Sequence, residues 1–283
     1  MKKVSFYRGD AVLFHSKVLQ AKRNSAQDPH YTGRMHSMWN VSVAQFVEYD
    51  QRFTANTLER MSEKNLSEQE IADFQRLYSY RDSMMVDLRD KLSCDYAGRE
   101  YPFCPQCDIG ETGTLDHILP QSVFPVLSDH PRNLIRCCHK CNGYKSSIWL
   151  ENGKRKYLNL YIDDMPDVQI LFVTLGVDGR DITYDYYVDN PNGADADIFR
   201  MYGNTFKKLH LKERYEFLTN EEITNVKSSI NNVQKIFHAS DDQLKEMIRQ
   251  GANDEQATHG VNYWRAILKL AICDNDVVLG MMR

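Results

Sequence analysis

Two pairs of cysteines have the spacing that binds one metal ion. Cys104 pairs with Cys107 and Cys138 with Cys141, each within a CxxC sequence. A CxxC knuckle presents two thiolates to one side of a tetrahedral ion, so two knuckles complete a closed four-thiolate zinc site. Such a site keeps no open position for a substrate, and the expected zinc ion is therefore structural. The alternative is that the four side chains are buried as small apolar groups.

The remaining three of the seven cysteines are Cys94, Cys137 and Cys273. An odd number of cysteines in a chain expected to be cytoplasmic argues against a disulfide framework. Cys137 is a rival of Cys138 as a metal ligand, but its use would spoil the two-residue spacing of the knuckle. We expect these three residues to be ordinary core or surface thiols.

The segment between and just after the knuckles carries groups suited to hydrolysis. Asp116 and His117 stand beside a short apolar stretch, and Asn142 follows the last cysteine of the second knuckle. Carboxylate and amide oxygens are ligands that Mg²⁺ accepts and that a thiolate site does not use. Histidine is the side chain best able to take a proton from water near neutral pH. A metal ion here could neutralise the charge of a phosphate and stabilise its leaving oxygen.

Each of these residues alone has a structural explanation. An Asp-His pair is common in surface turns, and an asparagine commonly caps a helix or forms a turn. What favours a catalytic site is the joint occurrence of all three within and beside a pair of zinc knuckles.

Charge is segregated along the chain although the net charge is only −4. Residues 132–156 hold seven basic side chains and one acidic side chain, a balance of 7 − 1 = +6. We expect four of these basic residues to bind a nucleic-acid backbone by displacing its counterions: Arg132, Arg136, Lys140 and Lys145. Residues 160–200 hold nine aspartates and two arginines, a balance of 2 − 9 = −7. Either run can simply be a solvated face, but the acidic one could also restrain the basic one or dock a partner.

From Cys104 to Lys145 the sequence resembles the HNH endonuclease family in its four-cysteine form. The family pattern is CxxC, then DH, then N, then CxxC followed by His or Asn and a Lys. This chain fills the inner positions with Asp116, His117, Asn133 and Asn142. The sequences LDHILPQS, PRNLI and CNGYKSS also look like the HNH domain of RNA-guided CRISPR nucleases, which lacks the cysteines. The match covers about 45 residues, a sixth of the chain.

The resemblance implies a ββα-metal fold around a single divalent ion. It implies that Asp116 and Asn142 ligate Mg²⁺ or Mn²⁺, that His117 is the general base, and that Asn133 braces the loop and orients the histidine. Many members of the family have a third histidine where this chain has Asn142. This departure shifts the expected metal preference away from Ni²⁺ or Zn²⁺.

A second resemblance concerns the protein's partners. The stretch DHILPQSVFPVLSDHPRNLI, together with residues 204–211 and 262–265, is similar to bacterial HNH proteins encoded beside ATPases in anti-phage systems of the Septu type. It implies DNA as substrate, with RNA left open, and an ATPase partner subunit. The alternative is a zinc-stabilised nucleic-acid-binding or scaffold protein with an inactive HNH centre. That alternative is disfavoured because every expected catalytic position is filled.

The elements that position these residues can be predicted from periodicity and caps. Ser67 and Glu70 form a capping box, and the apolar residues after it predict one long helix over 68–93. Another helix is expected over 38–61. Two short strands should face each other and lead into a helix that carries Asn142 and Lys145. Residues 168–175 and 181–188 predict a hairpin, and helical stretches follow it.

Length and composition place the chain among ordinary globular proteins. It has 283 residues, of which 42% are apolar and 26% charged, so a core can form without disulfides. No apolar run approaches the ~18 residues that span a bilayer, and the N-terminus is a poor secretory signal, so we expect a cytoplasmic protein. The expected fold class is α+β, predominantly helical. The expected parts are a helical region over 1–97, the nuclease module over 98–158, and a hairpin with helices over 159–283.

Overall fold

The structure, a computed structural model, describes residues 1–92, 94, 97–144 and 147–282. The chain divides into two compact units, one of residues 3–164 and one of residues 1–2 with the chain from 165 onward. The helical region expected over 1–97 and the module expected over 98–158 therefore share the first unit. Helices predominate, and the three sheets of the described residues have two strands each, which confirms the expected mixed α+β class.

The first unit contains six helices and four short strands among its described residues. The elements are α1 (Ala11–Ala21), α2 (Tyr31–Ser37), α3 (Trp39–Thr54), α4 (Glu68–Gln75), α5 (Ser83–Lys91), β1 (Thr114–His117), β2 (Leu134–Cys137), α6 (His139–Tyr144), β3 (Leu150–Glu151) and β4 (Lys154–Arg155). Short 3₁₀ turns lie at Leu58–Arg60 and Pro125–Leu127. The predicted capping box of α4 is confirmed, since the Ser67 N–H donates to the Glu70 carboxylate at 2.7 Å and the Ser67 hydroxyl accepts from the Glu70 N–H.

The single helix predicted over 68–93 is wrong, because α4 ends at Gln75 and α5 begins only at Ser83. Tertiary contacts hold the intervening residues out of the helix. Leu77 is fully buried, and the Tyr78 hydroxyl donates to the Leu115 carbonyl oxygen at 3.1 Å. Apolar spacing alone could not distinguish this interrupted pair from one continuous helix, because the buried residues of the break fall on the same stripe.

The helix predicted over 38–61 also ends early. Its observed counterpart, α3, stops at Thr54, and Asn56 takes a left-handed conformation with φ of 52°. Asparagine tolerates that region better than most residues do. The chain then forms the 3₁₀ turn Leu58–Arg60, in which Leu58 is fully buried.

The strand pair that carries the candidate site is antiparallel, with Asp116 opposite Ile135 and His117 opposite Leu134. Leu115, Leu134 and Ile135 are buried, and the Tyr161 hydroxyl fixes β2 by donating to the Leu134 carbonyl at 2.6 Å. Strand β2 leads into α6, which contains Asn142. The predicted order of two facing strands and a helix is confirmed, while Lys145 lies outside the described residues.

The second unit packs a long hairpin against helices. Its elements are β5 (Leu171–Asp178), β6 (Asp181–Val188), α7 (Ala196–Lys208), α8 (Leu211–Phe237), α9 (Asp241–His259), α10 (Trp264–Cys273) and α11 (Asp276–Met281). Trp264 stacks on Tyr215 with 5.3 Å between ring centroids. The predicted hairpin is confirmed, although its first strand lies three residues later than expected. Of the described helices, none is both long and apolar enough to cross a membrane.

Several aspartates of the acidic run have partners within their own unit. Asp163 is buried and binds Arg155 at 2.5 Å, Asp185 pairs with Lys212, and the Asp195 side chain caps α7. Part of the −7 balance therefore serves local structure.

A matched pair of glycine substitutions tests the backbone of the second unit. Gly179 lies in the two-residue hairpin loop at φ +61°, so Gly179→Ala should lower the free energy of unfolding by about 1 kcal/mol. Gly251 lies inside α9 with nothing within 4 Å of an added Cβ, so Gly251→Ala should raise it by about 0.5–1 kcal/mol. Urea unfolding measures the change in the free energy of unfolding for both variants. Equal changes would contradict the backbone conformations assigned to Gly179 and Gly251.

Candidate metal and hydrolytic site

The four cysteines of the two knuckles form one buried cluster. The Sγ atoms of Cys104, Cys107, Cys138 and Cys141 all lie within 4.8 Å of one another. A tetrahedral zinc site with Zn–S bonds of ~2.3 Å separates its sulfur atoms by about 3.8 Å. The sulfur atoms of Cys107 and Cys138 are 3.9 Å apart, which fits that geometry. The cluster is therefore able to bind a metal ion such as zinc.

The first knuckle depends on a tight turn. The Asp108 N–H donates to the Cys104 carbonyl at 2.8 Å, and Asp108 takes a left-handed conformation with φ of 54°. The Tyr101 hydroxyl holds this turn by donating to the Asp108 carboxylate at 2.6 Å. A side chain at Gly110 would be crowded, since a Cβ there would lie 3.0 Å from the Cβ of Cys138. This glycine therefore helps the two knuckles to pack closely.

The second knuckle begins α6. The Cys141 N–H points to the Cys138 sulfur at 3.4 Å, so the first turn of the helix brings both thiols to the same side. Cys137 is buried at the end of β2 and does not belong to the sulfur cluster. The two-residue spacing identified the correct member of the Cys137 and Cys138 pair.

The ionisation of the four clustered thiols bears on their ability to bind a cation. Burial raises the pKa of the Cys104 thiol, whereas hydrogen bonds from the other three cysteines lower the pKa of Cys138. Four thiols that face one another can thus share one thiolate among themselves. A divalent ion favours the deprotonated form of all four, which is the form that ligates zinc.

Asp116 and Asn142 lie on the same side of β1. Asp116 is 4% exposed, and Thr114, two residues before it, points to the same face of the strand. The Asn142 amide nitrogen donates to the Thr114 hydroxyl at 3.4 Å, which leaves the amide oxygen as the acceptor. Helix α6 and strand β1 therefore bring one carboxylate and one amide oxygen to a common face, a donor set that fits Mg²⁺ or Mn²⁺.

His117 ends β1 and is partly exposed. Its Nε2 lies 2.8 Å from the backbone carbonyl oxygen of Ser128. A carbonyl oxygen only accepts hydrogen bonds, so Nε2 is the donor, and in the corresponding tautomer the basic lone pair is on Nδ1. The ring of Tyr78 packs edge-on against the imidazole, with 4.9 Å between centroids. The hydrogen bond to Ser128 and the ring contact with Tyr78 both help to orient the imidazole of His117.

Asn133 lies at the start of β2 and is fully buried. Its side-chain oxygen accepts from the Leu119 N–H at 2.8 Å, and its amide nitrogen donates to the carbonyls of Leu119 and Leu127 at 3.2 and 3.3 Å. Leu127 directly precedes Ser128, whose carbonyl holds His117. These contacts agree with the loop-bracing role expected of Asn133.

The end of the same loop is anchored to the N-terminal helices. His15 of α1 and Asp129 form a buried pair at 2.7 Å. Asp50 of α3 lies 2.6 Å from Arg132 and 3.4 Å from His130. Burial opposes ionisation of Asp50, but these two neighbours lower its pKa. Helices α1 and α3 therefore hold the end of the loop through these two buried or half-buried pairs.

The predicted phosphate-binding residues have different surroundings. All three guanidinium nitrogens of Arg132 have protein partners, namely Asp50 and the carbonyls of Tyr7 and Gly9. This role differs from the phosphate contact expected from the sequence. Arg136 is half-buried and donates to the Thr112 hydroxyl at 2.6 Å, whereas Lys140 is exposed on α6. The fourth residue, Lys145, is outside the described part of the chain.

Sequence reasoning missed three residues that position the site. Gln106, between the cysteines of the first knuckle, donates to the Asp116 carboxylate at 3.5 Å. Tyr78 was expected only as a core residue of a continuous helix, and Ser128 acts through its backbone. Of these three, only Gln106 could have been identified from the sequence, because it lies between the two cysteines of a predicted knuckle.

Comparison with known proteins identifies a distant relative in Escherichia phage lambda. The chain is 28% identical to the phage protein ea31 over 183 residues, which is 64% of this chain and 56% of the phage protein. The chain thus spans little more than half the length of this relative. No protein-family model matches the chain. No solved structure matches it either.

Elemental analysis tests the four-cysteine cluster. The purified protein should contain about one equivalent of zinc, and Cys104→Ser should lose it together with thermal stability, since zinc binding and folding are coupled. Cys273→Ala is the matched control, because Cys273 is buried in the other unit and should leave the zinc content unchanged. Full zinc content in Cys104→Ser would refute the assignment.

The loop brace can be measured by substitution of Asn133. Asn133→Ala removes three buried hydrogen bonds and should lower the free energy of unfolding by about 2–4 kcal/mol. Asn40→Ala, at an exposed position of α3, should change it by less than about 0.5 kcal/mol. Urea unfolding followed by tryptophan fluorescence compares the two variants. If Asn133→Ala lowers the free energy of unfolding no more than Asn40→Ala does, the hydrogen bonds of Asn133 are dispensable.

Proposed function

We propose that the protein is a metal-dependent HNH endonuclease that hydrolyses phosphodiester bonds in DNA. The observation that supports this most strongly is the state of His117. Its Nε2 donates to the Ser128 carbonyl at 2.8 Å, which leaves Nδ1 as the nitrogen that we propose to act as the general base. The residue immediately before it, Asp116, belongs to the donor set that fits a hard divalent ion.

The proposed reaction begins with a water molecule between His117 and the scissile phosphorus. Nδ1 takes a proton as the water oxygen bonds to phosphorus and the ester P–O bond breaks. The hydrogen bond from Nε2 to Ser128 keeps the ring in place as it becomes positively charged. The leaving oxygen is then protonated from solvent.

Asp116 and Asn142 would hold the ion, as would the equivalent positions of the HNH family that the sequence resembles. When bound, Mg²⁺ or Mn²⁺ supplies positive charge to the phosphate oxygens and to the leaving oxygen. The amide of Gln106 contributes by orienting the Asp116 carboxylate. Zinc bound by the four cysteines has a structural role in this scheme, because it ties Gln106 and α6 to the strand pair.

Plasmid cleavage tests the proposal. The purified protein should convert supercoiled plasmid in Mg²⁺ or Mn²⁺, and EDTA should abolish the conversion. His117→Ala should lower the rate about 100- to 10,000-fold, the usual contribution of a general base. His36→Ala is the matched control, because His36 is an exposed histidine of α2 in the same unit.

The outcomes distinguish the proposal from its rival. Metal-dependent cleavage that fails in His117→Ala and persists in His36→Ala supports a nuclease. DNA binding with no cleavage by the wild-type protein under any metal condition favours a zinc-stabilised binding or scaffold protein. The proposed anti-phage role predicts an ATPase partner. If the wild-type protein alone does not cleave the plasmid, the assay should therefore be repeated with that partner and ATP before the nuclease function is rejected.

A further inference from the structure

We infer that the turn between α4 and α5 is part of the DNA-binding surface, and that Arg81 and Arg89 bind phosphates beside the cleaved bond. This inference rests on the nuclease function proposed above and adds to it a surface outside the family motif. Four observations support it: where the turn lies, how it is held, what charge it exposes, and how that charge is oriented.

The turn is next to the proposed general base. The ring of Tyr78 contacts His117 and its hydroxyl donates to the Leu115 carbonyl, so the Tyr78 side chain is fixed against β1. Arg81 is three residues further along, which places its Cα within about 11 Å of the Cα of Tyr78. An arginine at this distance can reach a phosphate close to the one attacked at His117.

The turn is held rigidly at both ends. Leu77 before it and Met85 after it are fully buried. The Asp82 N–H donates to the Ser79 carbonyl at 3.0 Å, and Lys22, the residue that follows α1, binds the Asp82 carboxylate at 2.5 Å. A surface fixed in this way loses little conformational entropy when it binds a ligand.

Two cations of this surface have no acidic partner among the described residues. Arg81 is exposed, and no hydrogen bond or ion pair within the described chain engages its guanidinium. Arg89 lies over the ring of Tyr80 at 4.0 Å, a contact that orients the guanidinium and leaves its N–H groups available. By contrast, Arg34, Arg132 and Arg155 of the same unit all bind carboxylates.

Among the described residues, the aspartates of the turn and of α5 do not cancel this charge. Asp82 is paired with Lys22, and Asp87 lies on the opposite face of α5, about 160° from Arg89 at 100° per residue. Asp90 is about 100° away on the same scale. An arginine fork binds a phosphate through two parallel hydrogen bonds. Arg81 lies in the turn whose Tyr78 contacts His117, and Arg89 lies over Tyr80 of the same turn, so both fit the backbone of a DNA strand bound there.

DNA binding by the intact protein tests this inference. All variants carry His117→Ala, so that DNA is not cut, and binding of a fluorescein-labelled 20-base-pair duplex is measured by anisotropy over a range of salt concentrations. The comparison is between no further change, Arg81→Gln, the pair Arg81→Gln and Arg89→Gln, and Arg60→Gln. Arg60 is the matched control, an exposed arginine of the same unit with 69% of its side chain accessible.

Each lost phosphate contact should weaken binding about 5- to 10-fold near 0.1 M salt and reduce the slope of log K against log salt by about 1. Arg81→Gln should show the effect of one lost phosphate contact on affinity and salt slope. The double variant should show the effect of two lost contacts, and Arg60→Gln should change neither quantity. Because Arg81 is exposed, its single variant keeps the test valid if the pair is unstable.

Three results overturn the inference. Unchanged binding in Arg81→Gln and in the pair would exclude this surface and leave the proposed nuclease intact. An equal loss in Arg60→Gln would show an effect of net charge alone. If the parent protein does not bind the duplex and wild-type protein does not cleave plasmid even with the proposed ATPase partner and ATP, the proposed function fails and this inference fails with it.

Discussion

The candidate site depends on the hydrogen bond between His117 and the Ser128 carbonyl oxygen, 2.8 Å apart. A backbone carbonyl can fix a histidine tautomer only if the backbone itself does not move. Asn133 braces the start and the middle of the loop, and the pairs of His15 with Asp129 and of Asp50 with Arg132 hold its end. The polar groups of this loop are mostly buried, and buried polar groups left without partners are costly. The loop is therefore restricted to one conformation.

This constraint explains why the N-terminal helices belong to the same unit as the strand pair. Helix α1 supplies His15, α3 supplies Asp50, and the break after α4 places Tyr78 against His117. The four-cysteine knuckles add a second set of contacts, since Gln106 reaches Asp116 and α6 carries Asn142. A short two-stranded sheet is marginally stable by itself. Its position is set here by the four-cysteine cluster and by the helices.

The sequence was sufficient to predict the features that depend on local spacing along the chain. Two CxxC spacings identified the four cysteines that cluster, and the run after Cys107 predicted two strands and a helix in the correct order. The sequence was insufficient where contacts between distant residues determine the structure. Tyr78 fits a helical stripe, yet its hydroxyl bonds to Leu115 and the helix breaks. Arg132 looked like a phosphate ligand because it lies in a basic run, and only the fold reveals that Asp50 neutralises it. Periodicity and charge counts do not contain such pairings.

Anomalous diffraction from a crystal grown with Mn²⁺ and a DNA duplex, measured at the zinc and manganese edges, tests the central claim most directly. Zinc is expected among the sulfur atoms of Cys104, Cys107, Cys138 and Cys141. Manganese is expected to be bound by the Asp116 carboxylate and the Asn142 amide oxygen, with His117 Nδ1 facing the adjacent phosphate and Nε2 still hydrogen-bonded to Ser128. Manganese bound elsewhere, or an imidazole turned away from the phosphate, would contradict it.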